Sequence, residues 1–260
     1  MITLASDFGM AYPAAMKGVI LSRTDARLVD VAHDLPRQDV RAAAFWLRET
    51  LPYFPPAVHL VVVDPGVGTD RRAIALRVGE HVLVGPDNGV LRPPARRIIE
   101  KSDEDARIEA YEIRVSDPDS TTFHGRDVFA PAAADAHKTG ASNLDSIDRF
   151  APVATDSLTD LRFPTPDVAR DGTEATGEVL VVDDFGNCIT NVPGDFVRGS
   201  ERIAVDGESV PIGHTFEAVP RGDRLVTVGS HGNVECDVNH GRGDEAFGLA
   251  PGDTVRLQFD

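Results

Sequence analysis

Lysine is nearly missing from this 260-residue sequence: Lys17, Lys101 and Lys138 are the full set, and every other fixed cation is an arginine. With 42 Asp and Glu against 26 Lys and Arg, the formal net charge is -16. No basic stripe is available to displace counterions from phosphates, which excludes a nucleic-acid backbone as partner. Scarce lysine with excess acid keeps a surface hydrated and self-repelling in concentrated salt, so a halophilic source is expected. Cysteine is also rare. Cys188 and Cys236 can form one bridge at most, and their spacing matches no metal site or redox pair, so the expected setting is a reducing cytoplasm. No apolar run approaches membrane-spanning length, and Met1-Ile2-Thr3-Leu4 runs into Asp7 without a basic-then-apolar leader. A soluble protein with no membrane partner is expected.

What the sequence does contain is ample core material, 42% hydrophobic, and one stretch that organises the rest. Val58 to Val63 is a short, mostly β-branched run of the kind a buried parallel strand needs, and it stops abruptly at Asp64-Pro65-Gly66. A carboxylate therefore sits where a buried strand ends, which is where open α/β sheets bind ligands. Gly66 and Gly68 allow a tight turn, and Arg71 returns a fixed cation. A strand, a turn and a surface salt bridge would explain the same residues.

Taken in order, Met1 to Ser6 reads as a first strand ending at Asp7-Phe8-Gly9, a second carboxylate at a strand terminus. Tyr12 to Leu21 follows as a helix, Leu28 to Val31 as a strand, and Asp39 to Leu51 as an amphipathic helix with Trp46 in the core. Ala73 to Val78 and His81 to Val84 read as an antiparallel pair, Ala110 to Val115 as a mixed strand, and Phe129 to Ala136 as a helix after the polar Ser120-Thr121. Alternating strands and helices predict an α/β domain over residues 1–160, with a mixed or parallel sheet flanked by helices. Residues 161–176 lie in a stretch rich in Asp, Thr and Pro that predicts a linker. Five short strands (178–182, 203–205, 225–228, 234–238 and 254–259) then predict a smaller all-β domain over residues 177–260.

Several motifs occur in a fixed order: Ser6-Asp7-Phe8-Gly9, Met16-Lys17-Gly18, Val31-Ala32-His33, Asp64-Pro65-Gly66-Val67-Gly68-Thr69-Asp70-Arg71-Arg72 and Pro86-Asp87-Asn88-Gly89. Thr122-Phe123-His124-Gly125-Arg126-Asp127 and Asp183-Asp184-Phe185-Gly186-Asn187 with Thr190-Asn191 complete the set. Together they resemble the S-adenosyl-L-methionine hydrolases, also called SAM hydroxide adenosyltransferases, relatives of fluorinase and chlorinase. The resemblance spans nearly the whole chain. It implies an N-terminal α/β domain and a C-terminal β domain, assembled as a homotrimer with SAM held at subunit interfaces. It also implies no cofactor and no metal, SAM being the substrate and adenosine and L-methionine the products.

The resemblance carries the family's catalytic trio onto Asp64, Arg71 and His124. Asp64 and His124 would orient a water and accept its proton, with Arg71 beside them. Phe123 would supply an apolar wall for a reaction that disperses the charge on sulfur. Asp7 falls where the family binds the ribose hydroxyls, with a helix-capping role as the competing reading. Phe185 and Asn187 match the adenine site, stacking on the base and reading its edge, and Gly243 matches a further adenine contact. Asp183 and Ser230 match positions that meet the methionine end.

Three departures accompany the match. The segment from Gly9 to Met16 is two residues shorter than is common in the family and lacks an aspartate. His231 stands where fluorinase relatives carry an arginine for the methionine carboxylate. Arg242 replaces a small residue; its side chain would either reach a carboxylate or simply face solvent, and solvent is the favoured reading. His33, His59, His81, His137, His214 and His240 are scattered singly and read as surface or satisfied core residues, and Arg126 with Asp127 reads as scaffolding. Two other functions compete with hydrolysis: halide-dependent SAM cleavage, and SAM or adenosine binding without turnover. Halogenating relatives replace the acid and histidine of the trio with non-basic groups, and both are kept here.

Overall fold

The computed structural model describes residues 1–102, 106–115 and 122–259, so Ser120 and Thr121 lie outside the described residues. The chain divides into two compact units, Met1–Arg162 and Phe163–Asp260.

The first unit runs β1 (Ile2–Ser6), α1 (Ala11–Leu21), β2 (Leu28–Ala32), α2 (Val40–Thr50), β3 (Val58–Val62), β4 (Ala73–Val78), β5 (His81–Pro86), α3 (Arg92–Lys101), β6 (Ile108–Ile113), α4 (Ala130–Thr139) and β7 (Phe150–Val153). Its seven strands form one mixed sheet in the order β2-β1-β3-β5-β4-β6-β7. Strands β2, β1, β3 and β5 are parallel, and β4, β6 and β7 add antiparallel. Every residue of β1 and of β3 is buried, as apolar runs in a central parallel strand should be. Met16 and Ile20 of α1 and the alanines of α4 pack with Ile2, Leu4, Leu60 and Val62 in one core. Because β1 and β3 pair in register, Ser6 beside Val62, both strands deliver a carboxylate at the same edge: Asp7 after β1 and Asp64 after β3.

Two local expectations are corrected. Trp46 is half-buried rather than core; Phe45, wholly buried, takes that place and meets the Trp46 ring edge-on at 5.1 Å. Asp39 is not the first turn of α2 but its cap, accepting the Ala42 N–H at 2.9 Å. Helix α3 was not expected from the sequence: its Pro-Pro start and three arginines hide a helix whose prolines sit harmlessly in the first turn.

The second unit contains β8 (Asp167–Val168), β9 (Glu174–Val182), β10 (Cys188–Pro193), β11 (Arg202–Val205), β12 (Glu208–Pro211), β13 (Arg224–Val228), β14 (Asn233–Val238), α5 (Gly243–Phe247) and β15 (Thr254–Gln258). The strands pair antiparallel in the order β12-β11-β15-β9-β10-β14-β13, with β8 on β9, and a bridge from Ile212 to Val226 brings the two ends together as a near-barrel. Glu174, Ala175 and Thr176, within the aprolinic end of the expected linker, belong to β9: Ala175 is fully buried and pairs with Leu257. On β14, Val234 and Cys236 enter the apolar core with Cys188, Val192 and Val226, so alternation sends Glu235 and Asp237 to the opposite face.

Candidate active site

In the first unit, Asp64, Arg71 and His124 meet. Asp64 leaves the end of β3, Arg71 stands just before β4, and His124 opens the single π-helical turn, Gly125–Phe129, that leads into α4. The Arg71 guanidinium donates through Nη2 to Asp64 Oδ2, and the same nitrogen lies 3.4 Å from His124 Nδ1. A guanidinium can only donate, so His124 Nδ1 is the unprotonated ring nitrogen and Nε2 carries the proton. The guanidinium also lies over the Phe129 ring, 5.3 Å from its centroid, which holds its plane.

The ion pair is nearly sealed, the side chains of Arg71 and Asp64 being 9% and 3% exposed. Burial raises the Asp64 carboxyl above its ordinary range, and Arg71 and His124 work against that rise. Its second oxygen, Oδ1, is buried without a hydrogen-bond partner. Asp64 and His124 line a pocket of about 490 Å³ with Phe8, Tyr12, Val62, Val67 and Phe123. Phe8, Tyr12 and Phe123 meet edge-to-face, with centroids 5.4 to 5.9 Å apart, and give the pocket an apolar wall.

Asp7 does not cap α1, whose start takes no side-chain hydrogen bond. Its Oδ2 accepts the Gln38 N–H at 2.8 Å, and its Oδ1 is buried without a partner. Arg126 and Asp127 form a bidentate pair at 2.6 and 2.8 Å, and Arg126 also lines the pocket. His59 is fully buried and satisfied on both nitrogens, by Thr3 at 2.8 Å and His81 at 2.9 Å, and burial pushes it down to about 3.

In the second unit, the turn between β9 and β10 is built on Asp183, which accepts the N–H groups of Phe185 and Asn187 through Oδ1 and the Asn187 carboxamide through Oδ2, each at 2.9 Å. That turn throws Phe185 outward, 79% exposed, at the rim of a cleft of about 620 Å³ lined also by Asn187, Phe216, Asn239 and Arg242. Gly186 takes φ +90, and a Cβ there would stand 2.9 Å from Arg242 Cα, so only glycine permits the turn to press against the segment entering α5. Gly243 is buried in that segment, its Cα facing the Cys236 carbonyl so closely that a Cβ would lie 2.2 Å from the oxygen. Of the two readings for Arg242, solvent or a carboxylate, the structure shows the carboxylate on an exposed side chain. Exposed though it is, its guanidinium grips Asp244 at 2.8 and 3.0 Å, because the cap of α5 offers a carboxylate two residues on. Ser230 is exposed in the turn joining β13 to β14.

Two domain families match these units. Residues 2–154 match the SAM hydroxide adenosyltransferase N-terminal domain, and residues 177–256 match the C-terminal domain of the same name. The chain belongs to the SAM hydroxide adenosyltransferase family. A protein of Thermus thermophilus named (R)-S-adenosyl-L-methionine hydrolase is 43% identical, over 97% of each chain. One of the same name from Salinispora tropica is 41% identical, over 98% of this chain and 97% of that protein. Among solved structures, an uncharacterized conserved protein from Thermotoga maritima superposes with a TM-score of 0.81 at 32% identity, covering 100% of both chains.

In this member of the family the structure thus brings Asp64, His124 and Phe123 to one pocket with Arg71 bonded behind them, and puts Phe185 and Asn187 at one cleft of the second unit, with Asp183 holding their turn and Gly243 next to the cleft-lining Arg242. Sequence reasoning missed Phe8 and Tyr12 as pocket wall.

Proposed function

We propose that the protein hydrolyses S-adenosyl-L-methionine at the ribose 5′ carbon, giving adenosine and L-methionine. The observation that carries this is the contact of one guanidinium with both the Asp64 carboxylate and the His124 imidazole at the wall of an apolar pocket. A water held there attacks the 5′ carbon in line with the sulfonium, the carbon–sulfur bond breaks with its electron pair leaving on sulfur, and the water gives up one proton. Asp64 suits the role of acceptor: Oδ1 has no competing hydrogen bond, and burial makes the carboxyl more basic. His124, with Nδ1 turned to Arg71, presents Nε2–H to orient the water or steady the forming hydroxide. No cofactor or metal is needed for these steps.

The same reading assigns the free Asp7 oxygen to the ribose hydroxyls, Phe185 to stacking on adenine, Asn187 and the Gly243 backbone to its edge, and Asp183 with Ser230 to the methionine end. It includes assembly as a homotrimer with the site shared between subunits, and residence in a salt-rich cytoplasm. The relatives' names specify the R-configured substrate, so both sulfonium configurations should be offered. Purified protein incubated with each in high salt should release adenosine and methionine from one of them. A 5′-halo nucleoside would mean halogenation, and intact SAM with measurable binding would mean a sensor; either outcome rejects hydrolysis. Sedimentation of the same sample should give three times the 27.9 kDa chain mass.

A further inference from the structure

The Pro86-Asp87-Asn88-Gly89 motif, at the end of β5, lines neither the pocket nor the cleft described above. Its place in the sheet is nonetheless particular. Strand β5 lies between β3 and β4, parallel to the first and antiparallel to the second, so its end stands between Asp64 and Arg71. On the Arg71 side, buried Asp87 donates its backbone N–H to the Arg72 carbonyl at 3.0 Å, and its Oδ2 accepts the Arg72 Nε–H at 2.9 Å. Its Oδ1 accepts the Thr159 N–H at 2.9 Å, so both carboxylate oxygens are engaged. That same Arg72 carbonyl accepts from Arg71 Nη1, while Nη2 is turned to Asp64 and His124 and the buried Nε has no partner. On the Asp64 side, Asn88 donates its carboxamide N–H to the carbonyl of Val63, the residue before Asp64, at 2.9 Å, and its Oδ1 accepts the Val90 N–H at 3.2 Å.

We propose that Asp87 and Asn88 are positioning residues for the reaction: one fixes the Arg72 carbonyl, the other the Val63 carbonyl, and together they set how the Arg71 guanidinium meets Asp64. The assignment rests on the hydrolase function proposed above, which names the reaction that the pair serves. A carbonyl oxygen has two lone pairs, and at Arg72 one takes the Asp87 N–H while the other takes the guanidinium. A guanidinium is planar, so holding Nη1 on that carbonyl, with the Phe129 ring against the plane, fixes the direction in which Nη2 points. The charged and titratable groups facing Asp64 are Arg71, from the segment before β4, and His124, from the turn before α4. Burial raises the Asp64 carboxyl and Arg71 opposes the rise, so a guanidinium released from its carbonyl opposes it less. Asp64 then holds its proton to higher pH, and fewer molecules carry a free base at neutral pH. A turn that served the fold alone would change stability and leave that titration in place.

The test compares Asp87→Asn, Asn88→Ala, Arg71→Gln and the double variant Asn88→Ala with Arg71→Gln. Each of the first two should lower kcat about tenfold, leave adenosine affinity unchanged, and move the acidic limb of the kcat/KM profile upward by less than Arg71→Gln moves it. In the double variant, Asn88→Ala should lower kcat by much less than it does alone, because the guanidinium it aims is gone. The Asp64 carboxyl is also followed without turnover, by carbon-13 NMR titration of protein labelled at the aspartate carboxyls, its signal assigned by its loss in Asp64→Asn. It should titrate higher in both single variants than in the wild type. An Asp64 titration unmoved in folded Asn88→Ala, or effects of Asn88→Ala and Arg71→Gln on kcat that simply multiply, overturns the clamp. Asn88 is half-buried and its replacement leaves the Arg72–Asp87 ion pair whole, so this variant carries the test if Asp87→Asn does not fold. A wild type that releases no adenosine rejects the hydrolase function alone, because the carboxyl titration still reads the clamp.

Discussion

Buried carboxylates occur at both sites, and their surroundings are opposite. Asp64 is sealed at the end of a parallel strand with a guanidinium and an imidazole for company, whereas Glu235 and Asp237 are buried on an antiparallel strand with the Asp183 carboxyl as a neighbour. In the first unit the chain supplies its own countercharge, so the carboxylate can be both dry and available as a base before any ligand arrives. In the second, burial and neighbouring acids raise both carboxyls instead. Substitutions in the two should therefore act on different properties, turnover in the first unit and the pH dependence of stability in the second.

The largest expected effect sharpens that contrast. Asp64→Asn keeps the shape and removes the proton acceptor, and should lower kcat about 10²–10⁴-fold while methionine and adenosine affinities change little. His124→Asn should lower kcat too, but less, since it orients rather than accepts. Arg71→Gln removes the positive neighbour that opposes the effect of burial, so Asp64 becomes harder to ionise and the acidic limb of the kcat/KM profile should move up by about one pH unit or more. A limb that stays in place would remove Asp64 as the titrating base. These are read by steady-state kinetics between pH 5 and pH 9, assaying adenosine.

The next effects are on affinity alone. Asp7→Ala should weaken adenosine binding by about 1.5–3 kcal/mol, the cost of charged hydrogen bonds to the ribose, and unaltered affinity would take Asp7 out of the site. Phe185→Ala should cost adenosine about 0.5–1.5 kcal/mol by removing an exposed ring positioned to stack, with methionine affinity unchanged. If Phe185→Ala lowered kcat as much as Asp64→Asn, the division of labour between the units would fail.

Most of the fold was readable before the structure because it rests on periodicity. A continuous apolar run gave β3, and short strand-like runs gave β1, β13 and β14. What escaped was written in other terms. Helix α3 begins with Arg92-Pro93-Pro94, which as composition looks like a loop and as geometry is a legitimate first turn. The trio was visible only as spaced motifs: Asp64 and Arg71 lie within one turn, but nothing local says that His124, 53 residues on from Arg71, returns to them. That closure depends on the π-helical turn before α4 and on the packing of α4 against β3. Phe8 and Tyr12 escaped because an aromatic beside a glycine turn reads as core until the pocket is seen. Glu235 and Asp237 escaped because acids alternating on an edge-near strand ordinarily face water, and only burial distinguishes them.

A separate expected effect is on stability and isolates the buried acids from the chemistry. Glu235 titrates near 8 in the folded chain against an ordinary value of 4.5, so below about pH 4.5 it is protonated whether folded or not and contributes nothing to the pH dependence. Between about 4.5 and 8 the unfolded chain has released the proton and the folded chain still holds it, so unfolding releases a proton and stability falls as pH rises, by at most about 1.4 kcal/mol per pH unit. Asp237 adds to the fall only up to about pH 6. Asp64, also raised, acts in the same direction, which is why the variant matters: Glu235→Gln cannot ionise, and its stability should stay flatter than wild type from pH 6 to pH 8 in urea melts. A variant curve parallel to wild type across that range would mean that Glu235 ionises normally in the folded protein and that its burial carries no electrostatic cost.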